Sequence, residues 1–268
     1  MRAWTLGSGS KGNSILLESD GTRVLIDAGY SPRALAQRLA AVRVAPESIS
    51  AVIVTHEHID HMRGVRAAQR RRKWQVFGSA GTLAAIAELD ARRVTPLRSG
   101  APFAIGALQF ELVRVPHDAS APTAVVATAT RTGFRTGIAH DLGAVPDTLR
   151  AAFAHLDLLL LESNHDEEML RTGPYPPFLQ ARISGGSGHL SNRRSSALTR
   201  ELAGASLREL VLLHLSEANN TPGLAVGAAR IALRAAKSRC PVTAAPQDRA
   251  AGPFGGSAGG ERQLALAL

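Results

Sequence analysis

The sequence predicts an α/β protein built as a four-layer αββα sandwich, in which two β-sheets pack face to face and helices cover both outer faces. Three observations predict this fold class. Short apolar runs such as Ile49–Thr55 and Leu156–Leu161 have the pattern of buried strands. Strands followed by a helix occur twice over along the chain. Finally, 45% of the 268 residues are hydrophobic, which is ample for a sizeable core.

The N-terminal elements follow from local patterns. Residues 1–17 have the pattern of a strand, a glycine-rich loop and a strand, and Gly21 turns the chain into a strand over Arg23–Asp27. Ser31 and Pro32 predict the start of a helix, as its N-cap and its first residue. Further predicted elements are a strand over Ile49–Thr55, a helix over Ala80–Ala91, and strands over Phe103–Ile105 and Gln109–Val115.

The second half of the chain alternates in the same way. Residues 131–133 predict a hairpin turn between strands over Thr123–Thr130 and Phe134–Ala139. Residues 1–245 are therefore predicted to form one domain. Residues 246–268 are rich in Ala, Gly and Pro and lack periodicity, which predicts a disordered tail. The other predicted elements are helices over Asp147–Ala154, Asn192–Leu202 and Pro222–Ala236, and strands over Leu156–Leu161 and Val211–Leu215.

The composition limits the compartment and the partners. Cys240 is the single cysteine, which excludes an intrachain disulfide and a multi-cysteine metal site and suits a reducing cytoplasm. There is no signal-type N-terminal stretch and no apolar run of about 18 residues, so no membrane span is expected. The formal net charge of +9 and the pI of about 11.0 favour a polyanionic partner such as nucleic acid. An arginine-rich composition can equally reflect a GC-rich genome.

The hexapeptide His56-Glu57-His58-Ile59-Asp60-His61 is the strongest functional signal, because three histidines and an aspartate, all ligand-type residues, directly follow a predicted buried strand. Imidazole and carboxylate suit zinc, and also manganese or iron. His56 and His58 leave the strand on the same side, since side chains alternate there. Asp60 and His61 follow on the turn and face a neighbouring position. One short segment can therefore serve two adjacent metal ions.

Three further ligand-type residues stand at the ends of predicted apolar strands. His117 follows one such run, Asp141 follows the next, and His214 follows the last strong one. Each is a weak signal alone. Their order and spacing after the hexapeptide make the combination strong.

This pattern of hexapeptide, lone His, lone Asp and last His resembles the metallo-β-lactamase superfamily, and the resemblance covers residues 1–245. It implies the metallo-β-lactamase fold, a hydrolase activity and two divalent metal ions, zinc or manganese. Residue by residue, it implies that His56, His58 and His117 hold the first ion, that Asp60, His61 and His214 hold the second, and that Asp141 bridges the two.

Two adjacent divalent ions can hold a bridging water, lower its pKa toward neutrality and stabilise a developing oxyanion. The expected reaction is therefore hydrolysis through a metal-bridging hydroxide. Asp60 is expected to act both as a ligand and as a catalytic group that accepts the nucleophile's proton. The ligand set leaves open whether the bond is an ester, lactam, thioester or phosphodiester.

Two glycine-rich segments bear on the substrate. Gly7–Ser14 offers backbone N–H groups and hydroxyls that can cradle a phosphate, or it forms a tight turn. Gly185–Asn192 leads into a predicted helix with Ser191 as N-cap. His189, beside that cap, can contact a phosphate or act catalytically by protonating a leaving oxygen. A helix cap with an unrelated histidine is the alternative.

These segments, together with Glu162–Asp166, resemble the YycJ (WalJ) branch of the superfamily, whose members are regarded as 5′-to-3′ exonucleases acting on DNA. The resemblance implies phosphodiester hydrolysis on DNA. It also implies contacts to the substrate phosphate from Ser8, Ser10, Asn13, Asn164, His165, His189, Ser191 and Asn192.

Two features leave alternatives open. His140 stands where the family pattern has a small hydroxyl residue, so it either orients a ligand or alters the metal preference. A basic run after the hexapeptide either follows a nucleic-acid backbone or forms a solvated helix face. That run comprises Arg63, Arg66, Arg70, Arg71, Arg72 and Lys73.

Two rival functions also remain open. One is a small-molecule hydrolase of the same fold, acting on a thioester as glyoxalase II does or on a lactone. The other is a non-catalytic scaffold that keeps its metals for structure. The basic charge and the Gly-His-Leu-Ser-Asn segment (188–192) stand against the first, and the full seven-ligand set stands against the second.

A separate partner is predicted from residues Gln263–Leu268, whose sequence is Gln-Leu-Ala-Leu-Ala-Leu. This segment resembles the short peptide by which many bacterial replication and repair proteins dock on the sliding clamp. An unremarkable apolar stretch is the alternative. A disordered linker ahead of it suits a transient tether.

Overall fold

Two seven-stranded sheets pack against each other in the computed structural model of the chain, which describes residues 1–204 and 206–256. In chain order, the first elements are β1 (Arg2–Gly7), β2 (Ser14–Ser19), β3 (Thr22–Ile26), α1 (Pro32–Ala41), β4 (Ala51–Val54), α2 (Ile59–Met62), α3 (Val65–Arg72), β5 (Gln75–Ser79), α4 (Ala80–Ala85), β6 (Val94–Leu97), β7 (Phe103–Ile105), β8 (Leu108–Arg114), β9 (Thr123–Ala129) and β10 (Arg135–Ala139). They are followed by α5 (Asp147–Ala152), β11 (Leu158–Glu162), α6 (Glu167–Thr172), α7 (Pro177–Ser184), α8 (Asn192–Leu202), β12 (Glu209–Leu213), α9 (Pro222–Ala235), β13 (Val242–Ala244) and β14 (Ala251–Phe254).

Each sheet is part antiparallel and part parallel. The N-terminal sheet has the order β14-β1-β2-β3-β4-β5-β6, and its strands from β3 to β6 run parallel. The C-terminal sheet has the order β13-β12-β11-β10-β9-β8-β7, and its strands from β10 to β13 run parallel. Parallel strands end at the same edge of a sheet, so the residues that follow them are brought together there.

The alternation of side chains along the strands builds the layers. In β2, Ile15 and Leu17 face the core between the sheets, whereas Leu16 faces the helices that cover the N-terminal sheet. In β11, Leu160 faces the core between the sheets and Leu161 faces the helices that cover the C-terminal sheet. The predicted four-layer αββα sandwich is confirmed.

Local helix signals are confirmed where a side chain caps the first turn. The hydroxyl of Ser31 accepts a hydrogen bond from the N–H of Ala34, and Leu35 and Leu39 lie on the buried face of α1. The predicted helix over Ala80–Ala91 is shorter, since α4 ends at Ala85. The next residue, Ile86, adopts an extended backbone and is buried in the core, which ends the helix.

The prediction of a disordered tail from residue 246 is wrong for residues 246–256. Strand β14 pairs antiparallel with β1, and the side chain of Phe254 is buried between the sheets. Gln247 also donates a hydrogen bond to the carbonyl of Leu215. Backbone pairing at a sheet edge needs no periodic sequence, so the Gly- and Pro-rich composition concealed it.

Residues 257–268 lie outside the described residues, and so does the predicted clamp-binding segment Gln263–Leu268. Within the described part of the chain, no helix is both long and apolar enough to cross a membrane.

We expect Phe254→Ala to lower the free energy of unfolding by about 3 kcal/mol, because it removes a buried aromatic ring and leaves a cavity. Phe178→Ala is the matched control, since that ring is 75% exposed; it should change stability by no more than about 0.5 kcal/mol. Denaturant unfolding of the metal-free protein measures both. Equal midpoints for the two variants would show that β14 does not contribute to the core.

Candidate metal centre

The seven residues of the predicted ligand set meet at one edge of the sandwich. His56 to His61 follow β4, and His117, Asp141 and His214 follow β8, β10 and β12. The strands β8, β10 and β12 run in the same direction, so their C-terminal ends lie at the same edge. The two sheets thus bring residues far apart in sequence into one cluster.

His56, His58 and His117 form the first group, and one ligand atom of each lies within 4.8 Å of the others. In two of these rings a backbone carbonyl accepts from one nitrogen: Asp118 accepts from Nε2 of His58 at 2.8 Å, and Gly188 accepts from Nδ1 of His117 at 3.0 Å. The other nitrogens, Nδ1 of His58 and Nε2 of His117, lie 3.4 Å apart. Each therefore presents a lone pair to the shared space.

The tautomer of His56 follows from a chain of hydrogen bonds. The hydroxyl of Thr55 donates to Oδ2 of Asp27 at 2.8 Å, so its oxygen can only accept from Nδ1 of His56, 3.1 Å away. Nε2 of His56 is then the nitrogen with the lone pair. The first group consequently offers three lone pairs to one cation.

Asp60, His61 and His214 form the second group, again within 4.8 Å. Nδ1 of His61 donates to Asp27 at 2.8 Å, and Nδ1 of His214 donates to Glu162 at 3.0 Å. Their Nε2 atoms lie 3.4 Å and 3.8 Å from Oδ2 of Asp60. A buried carboxylate thus orients each imidazole, an arrangement typical of metal-binding histidines.

Asp141 lies between the two groups. Its Oδ2 is 2.7 Å from Nε2 of His61 and 3.8 Å from Nε2 of His56. Asp27, Asp141 and His214 have φ angles of 62°, 55° and 53°, a left-handed backbone that residues other than glycine rarely adopt. Such strain at strand ends is typical of functional sites and orients these side chains.

Three buried atoms at the centre of this cluster have no hydrogen-bond partner among the described residues: Nε2 of His56, Oδ2 of Asp141 and Nε2 of His214. Burying polar atoms without partners is costly, so the arrangement calls for a bound group. Imidazole lone pairs and carboxylate oxygens are ligands for divalent transition metals. The residues present therefore fit metal ions.

The electrostatics of the cluster also favour cations. Burial alone would raise the pKa of Asp60, but His214 and His61 hold it below its ordinary range. Burial alone would also raise the pKa of Glu162, but the neighbouring His189 holds it low. These carboxylates therefore remain anionic inside the protein.

Glu162 is buried completely and accepts four hydrogen bonds. Oε1 accepts from Nδ1 of His189 at 2.8 Å and from Nδ1 of His214 at 3.0 Å. Oε2 accepts from the backbone N–H groups of Leu142 and Leu190, each at 2.9 Å. One carboxylate therefore fixes both a candidate ligand and a candidate catalytic histidine.

The sequence predictions gave no role to Asp27 or Glu162. Both are acidic residues at the end of an apolar strand, β3 and β11 respectively, and both are fully buried. An isolated acid at the end of a buried strand is the signal that identifies such residues. This signal is weak, because no second ligand-type residue follows at a characteristic spacing.

His140 lies behind the ligands. Its Nε2 is 3.3 Å from Oδ2 of Asp27, its Nδ1 is 3.6 Å from Oδ2 of Asp141, and its ring packs at 4.8 Å from that of His61. Contacts with two carboxylates and a histidine of the site are those expected of the orienting role, and the alternative of an altered metal preference stays open.

Two residues predicted to contact the substrate instead support the ligands. The hydroxyl of Ser8 accepts a hydrogen bond from the N–H of His214 at 2.9 Å. The amide of Asn13 donates to Oδ2 of Asp60 at 3.2 Å. Both side chains are buried, with exposures of 1%, and their polar atoms are bonded within the protein.

Asn164 and Asn192 require the same correction. Asn164 donates to the carbonyl of His214 at 2.9 Å. Asn192 accepts from the hydroxyl of Ser163 at 2.6 Å and donates to Asn220 at 2.9 Å. Both amides are buried and bonded within the protein. These internal hydrogen bonds are enough to account for polar side chains at the two positions, and no contact with a substrate is needed.

The glycines of the Gly7–Ser14 loop make room for neighbouring side chains and do not form an open phosphate cradle. A Cβ on Gly9 would lie 2.1 Å from the side chain of Gln247, and one on Gly12 would lie 2.6 Å from the ring of Tyr30. Both glycines have positive φ angles, 154° and 155°. The loop is therefore a packed turn.

The candidate ligands open into a cleft of about 320 Å³, which we call the metal cleft. Of the residues predicted to contact the substrate, Ser10 and His189 line this cleft, while His165, His189 and Ser191 line a neighbouring cavity. The other residues lining the metal cleft include Asp60, Asp141, Tyr175, Leu179, Arg182 and Ile183.

The basic run after the hexapeptide lies mainly on α3. Arg66 and Arg70 pair with Glu88 at 3.0 Å and 2.7 Å, and Arg72 pairs with Glu47. Its charge is therefore partly neutralised within the protein, which favours the solvated helix face over a nucleic-acid track.

Comparison with known proteins places these features in a family. The profile described as the β-lactamase superfamily domain matches residues 22–215. The chain is 32% identical over 226 residues to the exodeoxyribonuclease WalJ of Streptococcus pneumoniae, covering 82% of this chain and 83% of that protein. It is 29% identical over 224 residues to the exodeoxyribonuclease YycJ of Bacillus anthracis, covering 82% and 84%. The crystal structure of the metallo-β-lactamase-fold protein YhfI of Bacillus subtilis superposes with a TM-score of 0.72 at 17% identity, covering 93% and 97%.

The position of Asp141 predicts that the wild-type protein binds two divalent ions per chain and that Asp141→Ala loses at least one of them and abolishes turnover. Its carboxylate lies within reach of both histidine groups, so its loss affects both sites. Elemental analysis of protein reconstituted with zinc or manganese measures the stoichiometry. A wild-type chain that holds no more than one ion would contradict this prediction.

For Glu162→Gln we expect metal affinity to fall by about 10- to 100-fold, as is typical when the partner of a metal-binding histidine is lost. An amide has one acceptor oxygen, so it cannot serve both His214 and the backbone N–H groups. Glu57→Gln is the matched control within the hexapeptide, because Glu57 accepts from the N–H of Ser120 and joins none of the ligand groups. Competition with a chelator measures both affinities; equal affinities would refute the role of Glu162.

Proposed function

The chain belongs to the β-lactamase superfamily, a family of metal-dependent hydrolases, and on that premise we propose that it is a DNA exonuclease that hydrolyses phosphodiester bonds at a two-metal centre. The observation that supports this proposal most directly is the pair of ligand groups joined by Asp141. If only one ion were bound, the side chains of the other group would have no metal to coordinate.

We assign His56, His58 and His117 to the first ion, Asp60, His61 and His214 to the second, and Asp141 to both. When bound, such ions lower the pKa of water and stabilise charge on a phosphoryl oxygen. The protein supplies the orientation, because Asp27 and Glu162 fix the ring positions of His61 and His214.

Asp60 is the more exposed of the two candidate carboxylate ligands. Asp60 and Asp141 both line the metal cleft, but the side chain of Asp60 is 18% exposed and that of Asp141 is 3% exposed. The carboxylate of Asp60 can therefore accept a hydrogen bond from the attacking water and orient it. Because its pKa is held low, Asp60 is a poor acceptor for a proton at neutral pH, and we favour the orienting role over general-base catalysis.

His189 is the candidate proton donor. Glu162 accepts from its Nδ1, which leaves Nε2 without a hydrogen-bond partner in the part of the chain that is described. The side chain is 21% exposed and lines the metal cleft. From this position Nε2 can donate to the oxygen that leaves when the phosphodiester breaks.

DNA as the substrate is supported by the relatives named as exodeoxyribonucleases and by the net charge of +9. A positively charged protein attracts a polyanion at long range. The direction of cleavage that we propose is 5′ to 3′.

The test offers protein loaded with manganese or zinc to DNA labelled at its 5′ or 3′ end, beside a thioester and a lactone. We expect nucleotides to be released stepwise from the 5′ end. Rapid cleavage of the thioester or lactone without nuclease activity would instead establish the small-molecule hydrolase. Absence of all these activities from metal-loaded protein would favour the scaffold.

Replacement of His189 by Ala is expected to lower turnover on DNA by about 10²- to 10⁴-fold, the usual contribution of a general acid. Metal content should fall much less, since His189 is not among the seven assigned ligands. His155→Asn is the control, because His155 is an exposed surface residue. A parallel loss of metal and activity in His189→Ala would assign His189 to the metal centre instead.

We also propose that residues Gln263–Leu268 bind the sliding clamp, which would bring an exonuclease to DNA. The support is the sequence Gln-Leu-Ala-Leu-Ala-Leu alone. We expect the full chain to bind purified clamp and a chain ending at Gly256 to bind at least tenfold more weakly, as measured by surface plasmon resonance. Equal binding by the two chains would refute the prediction.

A further inference from the structure

The chain has eleven aromatic residues, all of them among the described residues, and nine belong to the hydrophobic cores. Phe77 and Phe103 stack with ring centroids 5.7 Å apart and pack against the core between the sheets. Seven others are at most 9% exposed. The two that remain are Tyr175 and Phe178, three residues apart where α7 begins, and we call them the aromatic pair. Neither belongs to a core cluster, so packing does not account for them.

The aromatic pair lies at the mouth of the metal cleft. The half-buried side chain of Tyr175 lines this cleft, as do the candidate ligands Asp60 and Asp141. Phe178 is 75% exposed and stands one helical turn before Arg182, another residue that lines the cleft. Residues four apart are neighbours on the surface of a helix. The ring of Phe178 is therefore next to the rim of the cleft, on the side that faces solvent.

Two prolines hold the aromatic pair in place. Pro176 and Pro177 separate its two members, and a proline ring fixes the backbone φ angle, which is −66° at Pro176. Pro177 is also the first residue of α7. Nε2 of Gln180 donates to the carbonyl of Tyr175 at 2.8 Å, which ties that residue to the helix. A rigid backbone lowers the entropy that is lost when the two rings bind a ligand.

The size of the aromatic pair suits a nucleobase better than a protein surface. A single exposed apolar side chain is ordinary, and a specific protein interface buries about 1,000 Å² or more. In the part of the chain that is described, the other exposed large hydrophobic residues are Ile59, Leu224 and Ile231, and none of them lies on α7. Two rings without an apolar surround offer flat faces for one or two bases.

We propose that the aromatic pair binds unpaired bases of the DNA strand by stacking, where the strand passes the mouth of the metal cleft. The inference rests on the proposed exonuclease function. A strand that places a phosphodiester at the ligand groups must leave the cleft through its mouth, and its next bases then meet the two rings. Aromatic side chains bind single-stranded nucleic acid in this way, because every base has a flat π-face.

This contact favours single strands and tolerates any base sequence. In a duplex the faces of an internal base are covered by its neighbours, so the rings reach only a base that has left the stack, and unstacking costs free energy. All four bases have a π-face, so stacking distinguishes little between sequences. The aromatic pair therefore increases the affinity for single-stranded DNA more than the affinity for a blunt duplex.

The test measures binding of an oligothymidylate with a 3′ fluorescein label to the metal-loaded full chain by fluorescence anisotropy. Phosphorothioate linkages keep the charge of its backbone and resist hydrolysis. A strand of equal length made of abasic sites retains the backbone and lacks the base faces. Phe178→Ala and Tyr175→Leu each remove one ring. Ile231→Ala is the matched control, because Ile231 is an apolar residue on α9 that is 63% exposed.

We expect wild type and Ile231→Ala to bind the oligothymidylate equally and the abasic strand more weakly. Phe178→Ala and Tyr175→Leu should each weaken oligothymidylate binding by about 5- to 100-fold, the usual contribution of one stacked base. The abasic strand should bind to all four proteins alike. In cleavage of single-stranded DNA, Phe178→Ala should raise KM and change kcat much less, since stacking is equally strong in the ground state and the transition state.

Phe178→Trp distinguishes stacking from a merely structural role. An indole ring stacks at least as well as a phenyl ring, so this variant should bind the oligothymidylate as tightly as wild type does. Its fluorescence should be quenched when the oligothymidylate is added. Wild type should show little quenching, because Trp4 and Trp74 are buried. Fluorescence of Phe178→Trp that DNA leaves unchanged would overturn the contact with bases.

The outcomes separate this inference from the proposed function. Oligothymidylate binding that depends on Phe178, without DNA cleavage, would refute the exonuclease and support the stacking surface. DNA cleavage together with oligothymidylate binding that neither variant changes would overturn the inference and leave the proposed function in place. A wild-type dimer that becomes a monomer in Phe178→Ala, as measured by light scattering, would assign the ring to a contact between two copies of the chain and would also overturn the inference.

Discussion

The buried carboxylate of Glu162 is the interaction on which the candidate site depends. It receives four hydrogen bonds, two from the imidazoles of His189 and His214 and two from the backbone of Leu142 and Leu190. Removing a carboxylate from water costs several kcal/mol, and this many donors are needed to offset that cost. The strand end that holds His214, the turn after β10 and the start of α8 are therefore tied to a single anion. None of them can move without leaving that anion partly unsatisfied.

A second constraint is that each imidazole must present a lone pair to the same space. A neutral ring can do so only if its other nitrogen donates elsewhere. Asp27 meets this need in the N-terminal sheet, because it accepts from His61 and from the hydroxyl of Thr55, which in turn orients His56. Glu162 does the same in the C-terminal sheet. The two buried acids thus set the ring orientations from opposite sides. The packing of the two sheets assembles each ligand group, because each group has members from both sheets.

This dependence explains which features the sequence could predict. The clustering of the hexapeptide with the single candidate ligands at strand ends was predictable, because spacing and strand boundaries are local patterns. Asp27 and Glu162 were not, since one acid after a strand has the same pattern whether it is buried or solvated. Asn13 was assigned to the substrate, because sequence cannot distinguish an amide that holds a ligand from one that holds a phosphate. Strand β14 was missed since edge pairing uses backbone groups, which every residue has.

His189, the candidate proton donor, is held by the same carboxylate as His214, a candidate metal ligand. Its Nδ1 is fixed by the same oxygen of Glu162 that fixes His214, so the distance from its ring to the metal centre is set by one atom. The N–H of Leu190, the next residue, donates to the other oxygen of Glu162, and Ser191 then caps α8. The start of α8 and the second group of ligand candidates therefore share one anchor.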